Sequence, residues 1–533
     1  MSEFINRPLS RRGFLGGATV AAGLGLTACG GGQQKAAEAP SGKEGGGTIT
    51  AGTAYSTQNY DPSTTSSALA LGVNWQVVEG LYGLNFHDYS TFNELATADP
   101  KKVDDYTFEI TLRDGAKFSD GNEVKADDVV ESFNRSSAKG SVYVPMLAPF
   151  ASVEKKVDKT VTVKTTIANF SLLKERLSIV RVVPASSSQD EMKKQPVGSG
   201  PWQFESISDN TLDLVPNKNY NGATPAKDDK LHYDVLKDPT ARLTAQQDGT
   251  TLAMEMVPAD AVDQLKGAGC TVDAVQGFGV RFAMFNLGKA PWDNVKVRQA
   301  CLYALDTDKM LANAFSGQAE VATSYLPSSF ANYHKASTVY AHDVDKAKKL
   351  ISESGITPGD VVLRTTDNEQ VKSMATQVKN DLDALGFNVS IVSDTSPATY
   401  AAIDAVDGSW DILLAPGDPS CFGADVDLLL NWWYGDNVWM TKRCPWKESA
   451  EWSKLHNLMT KALGQSGADQ QSTWNEGIAI IAENVPLYPV LFAKTFTASW
   501  SEKPNSNGVA LKGFKGIGTT GLSFIDVNTV TAS

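Results

Sequence analysis

From residue 290 to residue 415 apolar residues recur alternately at helical and at strand spacing. This alternation constrains the fold more than any other feature of the chain. NVKVRQACLYALDTDKMLANAFSG (294–317) reads as a long helical region closed by Gly317, and DVDKAKKLISESG (343–355) as a helix closed by Gly355. A strand at 360–365 follows, then a helix at 369–385 with Val371, Met374, Val378, Leu382 and Leu385 on one face, then strands at 388–393 and 410–415. Strands separated by helices imply a doubly wound α/β lobe. Two further helices, 449–463 and 467–483, lead into the strand-like PLYPVLFAKTFTASW (486–500).

Upstream the pattern is different. YTFEITL (106–112) alternates, with Tyr106, Phe108, Ile110 and Leu112 predicted to share a face. Asp114-Gly115 and Asp120-Gly121 are turn signals. KADDVVESFNR then reads as a helix whose first turn carries Asp127 and Asp128, where carboxylates favour the positive end of the dipole. With a strand at 160–167, residues 84–196 predict a small α+β insertion. Around it lie a helix at 67–84 (Leu69, Val73, Val77 and Leu81 inward), the Gly/Pro turn PVGSGPWQF (196–204), and strands at 231–238 and 280–287 with a helix between. The 533 residues exceed one core, so several domains are expected.

The first 28 residues read as an export address. Arg7, Arg11 and Arg12 precede a mildly apolar run, Gly13 to Ala28, too short to span a bilayer comfortably. SRRGFL looks like a twin-arginine signal, although Gly16 replaces the usual lysine and leaves Sec export open. LTAC (26–29) resembles a lipobox, which implies lipidation of Cys29. Residues 30–47, rich in Gly, Ala and Gln, form a flexible tether reaching roughly 20–25 Å. The expected location is the outer face of the cytoplasmic membrane, cell surface or periplasmic side, held by a lipid anchor.

A net charge of −13 argues against nucleic acid as partner. The five histidines are scattered, with no H-E-x-x-H and no Cys/His cluster, so no metal site is predicted. There is no Walker A sequence and no G-x-G-x-x-G after a strand. Ser199, in VGSGP, lacks the spacing of a nucleophile elbow. No enzyme and no cofactor are expected; an exported hydrolase would need a nucleophile–base pair that the chain does not offer. Export permits disulfides, and Cys421 and Cys444 are predicted to pair, contributing about 3 kcal/mol by loop closure.

WDILLAPGDPSCFGADVDLLLNWWYGDNVWM (410–440) concentrates the candidate site residues. Asp418 lies just past the end of a strand, where open α/β sheets hold their ligands. Its alternative role is that of a Gly-Asp-Pro turn former. Trp432, Trp433 and Trp439 are candidate pocket walls, although adjacent tryptophans cannot share a helix face, so one of the pair belongs to the core. Tyr55, after the first strand, is a candidate from the other side of the cleft. Arg281 and Arg364 are candidate carboxylate partners.

Taken in order, these segments resemble the extracellular solute-binding proteins of ABC importers, family 5, the oligopeptide/dipeptide/nickel class. The likeness rests on NYDPS (59–63), VVEGLYGLN (77–85), YTFEITLRDGAKFSDGNEVKADDVVESFNR (106–135), PVGSGPWQF and NVKVRQACLYALDTDKM. It implies a two-lobe cleft fold of the periplasmic-binding-protein type II kind with an extra insertion domain. The first domain would comprise 48–83, 197–281 and 496–533, the second 84–196, and the third 282–495. It further implies a monomer that captures peptides and delivers them to a permease with its ATPases. An oligosaccharide, a metal chelate or haem is the alternative ligand. In peptide-binding relatives an Asp after the Trp/Phe-Asp-apolar strand pairs with the ligand's α-ammonium; Asp418 is the nearest match to it, with Asp425 further on. A surface lipoprotein for signalling or adhesion is a rival reading.

Overall fold

Eleven strands hydrogen-bond into one sheet, in the order 388–394, 360–366, 412–417, 271–285, 487–499, 253–255, 48–53, 230–235, 211–216 and 202–207, with 319–321 also paired to 487–499. The computed structural model describes residues 46–139, 141–405, 407–516 and 527–533. The predicted export signal, Cys29 and the tether up to residue 45 lie outside the described residues, as does the 522–526 part of LSFIDVNTV (522–530), whose sequence reads as a short β piece.

At one end of the sheet the predicted α/β alternation is present. Strands Asp360–Thr366, Asn388–Asp394 and Ile412–Gly417 pair in parallel, and helix Glu369–Asp383 buries Val371, Met374, Val378 and Leu382. Helix ends follow their capping chemistry. Asn368 accepts from Val371 N at 3.1 Å at the start of one helix, and Gly355, with φ +73°, ends another. The long helix predicted over 294–317 is instead two, Val295–Ala304 and Thr307–Phe315. Asp306 breaks it: its carboxylate caps the second helix by accepting from Lys309 N at 3.0 Å.

The strand predicted over 280–287 begins nine residues earlier and runs Thr271–Phe285, beside Leu487–Ser499 for almost its full length. Periodicity misses its first half because the residues there are mixed and only partly buried. The ladder between the two strands is interrupted between Gln276 and Val280, and the Gln276 side chain spans the gap, donating to Gly277 O and Phe492 O at 3.1 Å each. Apolar side chains gather in two cores. One is built around Trp202, Tyr233 and Leu212; the other runs from the insertion to Phe282, Trp292, Trp410 and Trp433.

The insertion holds a four-stranded antiparallel sheet, in the order 101–102, 107–111, 160–165, 150–157, with helix Ala126–Ser136 against it. Phe108, Ile110 and Leu112 are buried as predicted, but Tyr106 precedes the strand and is 51 % exposed. The family-like motifs have structural explanations. Arg113 forks onto Glu79 at 3.0 and 3.1 Å and donates to Glu94 O at 2.6 Å. Asp128 ties two chain segments together by accepting from Lys125 N and Ala185 N, both at 2.8 Å. In PVGSGPWQF, a Cβ on Gly198 would meet Val77 O at 2.0 Å, so only glycine lets this turn lie on the end of helix Ala68–Val77. Arg298 of the VRQA segment donates to Asn484 O at 2.6 and 3.0 Å, satisfying a carbonyl at the end of helix Gly467–Asn484.

Candidate functional site

Strand Ile412–Gly417 pairs antiparallel with 271–285, placing Gly417 opposite Val280 and Pro416 opposite Arg281. Asp418 therefore leaves the strand beside Gly279 and Arg281. Its carboxylate starts the turn Pro419–Phe422, accepting from Ser420 N at 3.0 Å and Ser420 Oγ at 2.5 Å. The backbone amide of Gly279 is near enough to favour its charged form. Burial pushes its pKa up to about 6, against the opposing pull of the Ser420 and Gly279 donors and the Arg281 charge. Asp418 thus forms the turn and is also a desolvated carboxylate with charge to offer.

Arg281 is buried, donates to Gln370 Oε1 at 2.5 Å and to Gly279 O at 3.1 Å, and keeps an Nε without a partner. Desolvation lowers its pKa to about 10, offset by the negative charge of Asp418 and by Tyr55. Tyr55 follows strand Thr48–Thr53 and keeps 37 % of its surface accessible. Surrounding protein nevertheless raises its hydroxyl pKa by desolvation, and Glu255, Arg281, Asp418 and Arg242 all act on it. Glu255, at the end of strand Ala253–Glu255, accepts from Thr53 Oγ1 and from Ala54 N at 2.9 Å, fixing the turn into Tyr55. The sequence offers Arg281 as a candidate carboxylate partner and gives no sign of Glu255 or Gln370. Strand pairing brings in Arg281 and Glu255, the start of helix Glu369–Asp383 brings in Gln370, and none carries a local signature.

The other candidates disperse. Trp433 is 2 % exposed and packs between Phe282 and Trp439, with ring centroids 4.8 and 4.7 Å away. A Cβ on Gly417 would meet its ring at 2.6 Å, so glycine there makes room for it. Trp439 is buried against Phe282 and Tyr400, with the Arg443 guanidinium 4.4 Å from its ring centroid. Both predicted wall residues are core. Trp432, half-buried and 5.4 Å from Phe422, is the one beside the Asp418 turn. Asp425 is not a free anchor: it caps helix Val426–Tyr434 through Leu428 N at 2.8 Å and pairs with Arg176. Arg364 is engaged by Asp394 at 3.0 Å.

The predicted Cys421–Cys444 disulfide is absent; both are free thiols. Cys421 Sγ points to Asp418 O at 3.6 Å and Cys444 Sγ to Pro486 O at 3.4 Å, two different places. Burial raises both pKa values, to about 12 for Cys444, which leaves inert thiols. The sequence separation suggested a closed loop, but the helix between them carries Cys444 into the core.

A small cavity of about 20 Å³, room for one water, lies behind Cys421 and Phe422, walled by Trp75, Tyr143 and Arg181. A cleft of about 1030 Å³ lies elsewhere, between Glu79, Phe86, Arg113, Tyr220 and Phe514; it shares Trp75 but none of Asp418, Arg281 or Tyr55 lines it. The charged cluster, not the larger volume, marks the candidate site. Among the described residues no group of three or more His, Cys, Asp or Glu could hold a metal, and no helix is long and apolar enough to cross a membrane.

The family model for bacterial extracellular solute-binding proteins, family 5 Middle, matches residues 92–440. Heme-binding protein A of Haemophilus influenzae is 31% identical over 363 residues, covering 60% of this chain and 64% of that protein. An ABC transporter peptide-binding protein of Brucella ovis is 29% identical over 269 residues, covering 47% of this chain and 49% of that protein. The chain thus spans about half to two thirds of these relatives' length. Among solved structures, the dipeptide-binding protein of Pseudoalteromonas sp. SM9913 in complex with Met-Leu superposes with a TM-score of 0.77 at 20% identity, covering 91% of this chain and 100% of that one.

Proposed function

Because this chain belongs to the bacterial extracellular solute-binding proteins of family 5, we propose that it is the substrate-binding component of an ABC importer. It captures peptides outside the cytoplasmic membrane and delivers them to a permease. Its fold, α/β with an insertion, is that of type II periplasmic binding proteins, and the family consists of binding proteins rather than enzymes.

The observation that carries the peptide reading is the sheet register that sets Asp418 beside Arg281, and the charges of both bear on Tyr55. A carboxylate and a guanidinium with unspent hydrogen-bonding capacity suit a zwitterion. The α-ammonium pairs with Asp418, and a carboxylate or carbonyl of the ligand meets Arg281. Tyr55 and Trp432 supply aromatic wall, and exposed strand ends pair with extended peptide backbone. The same reading includes a three-part division of the chain that closes around the ligand. Residues 48–83, 197–281 and 496–533 form one lobe, 282–495 the other, and 84–196 the insertion; strands 271–285 and 487–499 cross between the lobes. Differential affinity for the closed form drives closure.

A tri- to pentapeptide pool is expected to raise the thermal midpoint, while oligosaccharides, metal chelates and haem leave it unchanged. A shift with haem alone would replace the peptide reading by that of the Haemophilus relative, whose name specifies haem.

Export and anchoring belong to the same reading. LTAC places Cys29 for lipidation, and the following tether lets the body stand off the membrane as a monomer. In the native host the protein is expected to partition into detergent phase and Cys29→Ser into the aqueous phase. Equal partitioning of the two would remove the anchor.

A further inference from the structure

Arg176 sits on the short insertion helix Leu173–Leu177, and its guanidinium is completely buried. Nη1 and Nη2 donate to the two oxygens of Asp425 at 2.8 and 2.9 Å, and Nη2 also donates to Asp427 at 2.6 Å. The two carboxylates are 8% and 3% exposed, and they lie 249 and 251 residues along the chain from Arg176. Asp425 and Asp427 open helix Val426–Tyr434, which continues directly from the turn that Asp418 begins. The fork therefore grips the far end of the candidate binding loop.

Other contacts run in parallel. Ser171 N donates to Leu463 O at 3.2 Å, Gln470 Nε2 donates to Ser171 Oγ at 2.9 Å, and Tyr143 packs on Phe422 at 5.6 Å. One guanidinium facing two carboxylates leaves an excess negative charge in a desolvated site, with Glu175 close by; burial pushes Asp427 up to about 6. Such a cluster adds little to fold stability relative to an apolar replacement, but its fork geometry admits only one arrangement. That combination suits a contact that fixes the position of a loop rather than one that holds the fold together.

We propose that Arg176 is a positioning residue for ligand capture: its fork on Asp425 and Asp427 latches the Asp418–Asp427 loop against the insertion before ligand arrives, so that Asp418 is already in place. This rests on the solute-binding reading above. Arg176 acts through the loop and not by touching ligand, because its side chain is completely buried against the two aspartates.

Arg176→Ala alone would strand two buried carboxylates and risks unfolding. The decisive variant is Arg176→Met with Asp425→Asn and Asp427→Asn, which removes the charges together and keeps an oxygen to cap the helix. Hydrogen exchange of the ligand-free protein is expected to quicken on the order of tenfold or more at 418–434 while strands 271–285 and 487–499 keep their protection. Release of a fluorescent tripeptide pool is expected to quicken on the order of tenfold or more with little change in association rate. Arg176→Lys should recover part of both. Unchanged exchange at 418–434 in a folded variant overturns the latch, and so does loss of protection that reaches the two long strands, which would make the cluster a structural staple. If the unmodified protein binds none of the peptides, the peptide reading fails while the exchange measurement still decides the latch.

Discussion

Asp418→Asn is expected to weaken binding of peptides with a free α-ammonium by about 2–5 kcal/mol, the cost of truncating one member of a buried charge pair. The substitution is selective because asparagine keeps the oxygen that accepts from Ser420 N and Oγ, so the turn survives while the charge is lost. N-acetylated peptides should lose less. Isothermal titration with free and acetylated forms of one tripeptide checks this; equal losses for both would reduce Asp418 to its turn. The pH dependence follows from its raised pKa of about 6. A bound ammonium favours the carboxylate and draws that pKa down. Affinity is therefore full above about pH 6 and falls by up to about tenfold per pH unit below it, where binding must first expel a proton. The Asn variant should show no such fall.

Trp433→Ala is expected to lower stability by about 3–5 kcal/mol, the range for emptying a large aromatic site in a core. Its ring fills the space beneath Gly417 and between Phe282 and Trp439, and no neighbour can follow it inward. Trp432→Ala, one residue away, should cost about 1 kcal/mol or less in stability, because the ring is only half-buried. Its effect should fall on ligand binding. Denaturant melts of the two variants, set beside peptide titrations, separate the two tryptophans; similar melts would contradict the division into core and wall.

The α/β lobe was legible in the sequence because its helices are amphipathic and properly capped. Helix Glu369–Asp383 has both features, and its buried face is the predicted one. Asp418 was legible because a strand, a glycine and a proline bracket it. Arg281 and Glu255 were not, since each is an ordinary member of a strand until sheet pairing brings Gly417 opposite Val280 and the turn after strand 48–53 to Glu255. Trp433 and Trp439 read as wall because aromatic clusters look alike on the two faces of an element; burial distinguishes them. The Cys421–Cys444 pairing failed for a related reason: sequence separation says how long a loop is, but not which way two Cβ atoms point. Asp425 was misassigned because its partner, Arg176, lies on a different part of the chain.

The gap in the ladder between Gln276 and Val280 bears on recognition as well as on shape. A sheet creases most easily where its ladder is broken, and Gly279, inside the unpaired stretch, has its backbone amide beside Asp418. A Cβ at Gly279 would meet Ala493 O at 2.9 Å, so this peptide is held close against the neighbouring strand as well. Folding of the sheet along that crease moves the donor relative to the carboxylate. A change of angle at that crease would therefore alter the surroundings of the Asp418 carboxylate, and with them its affinity for a proton.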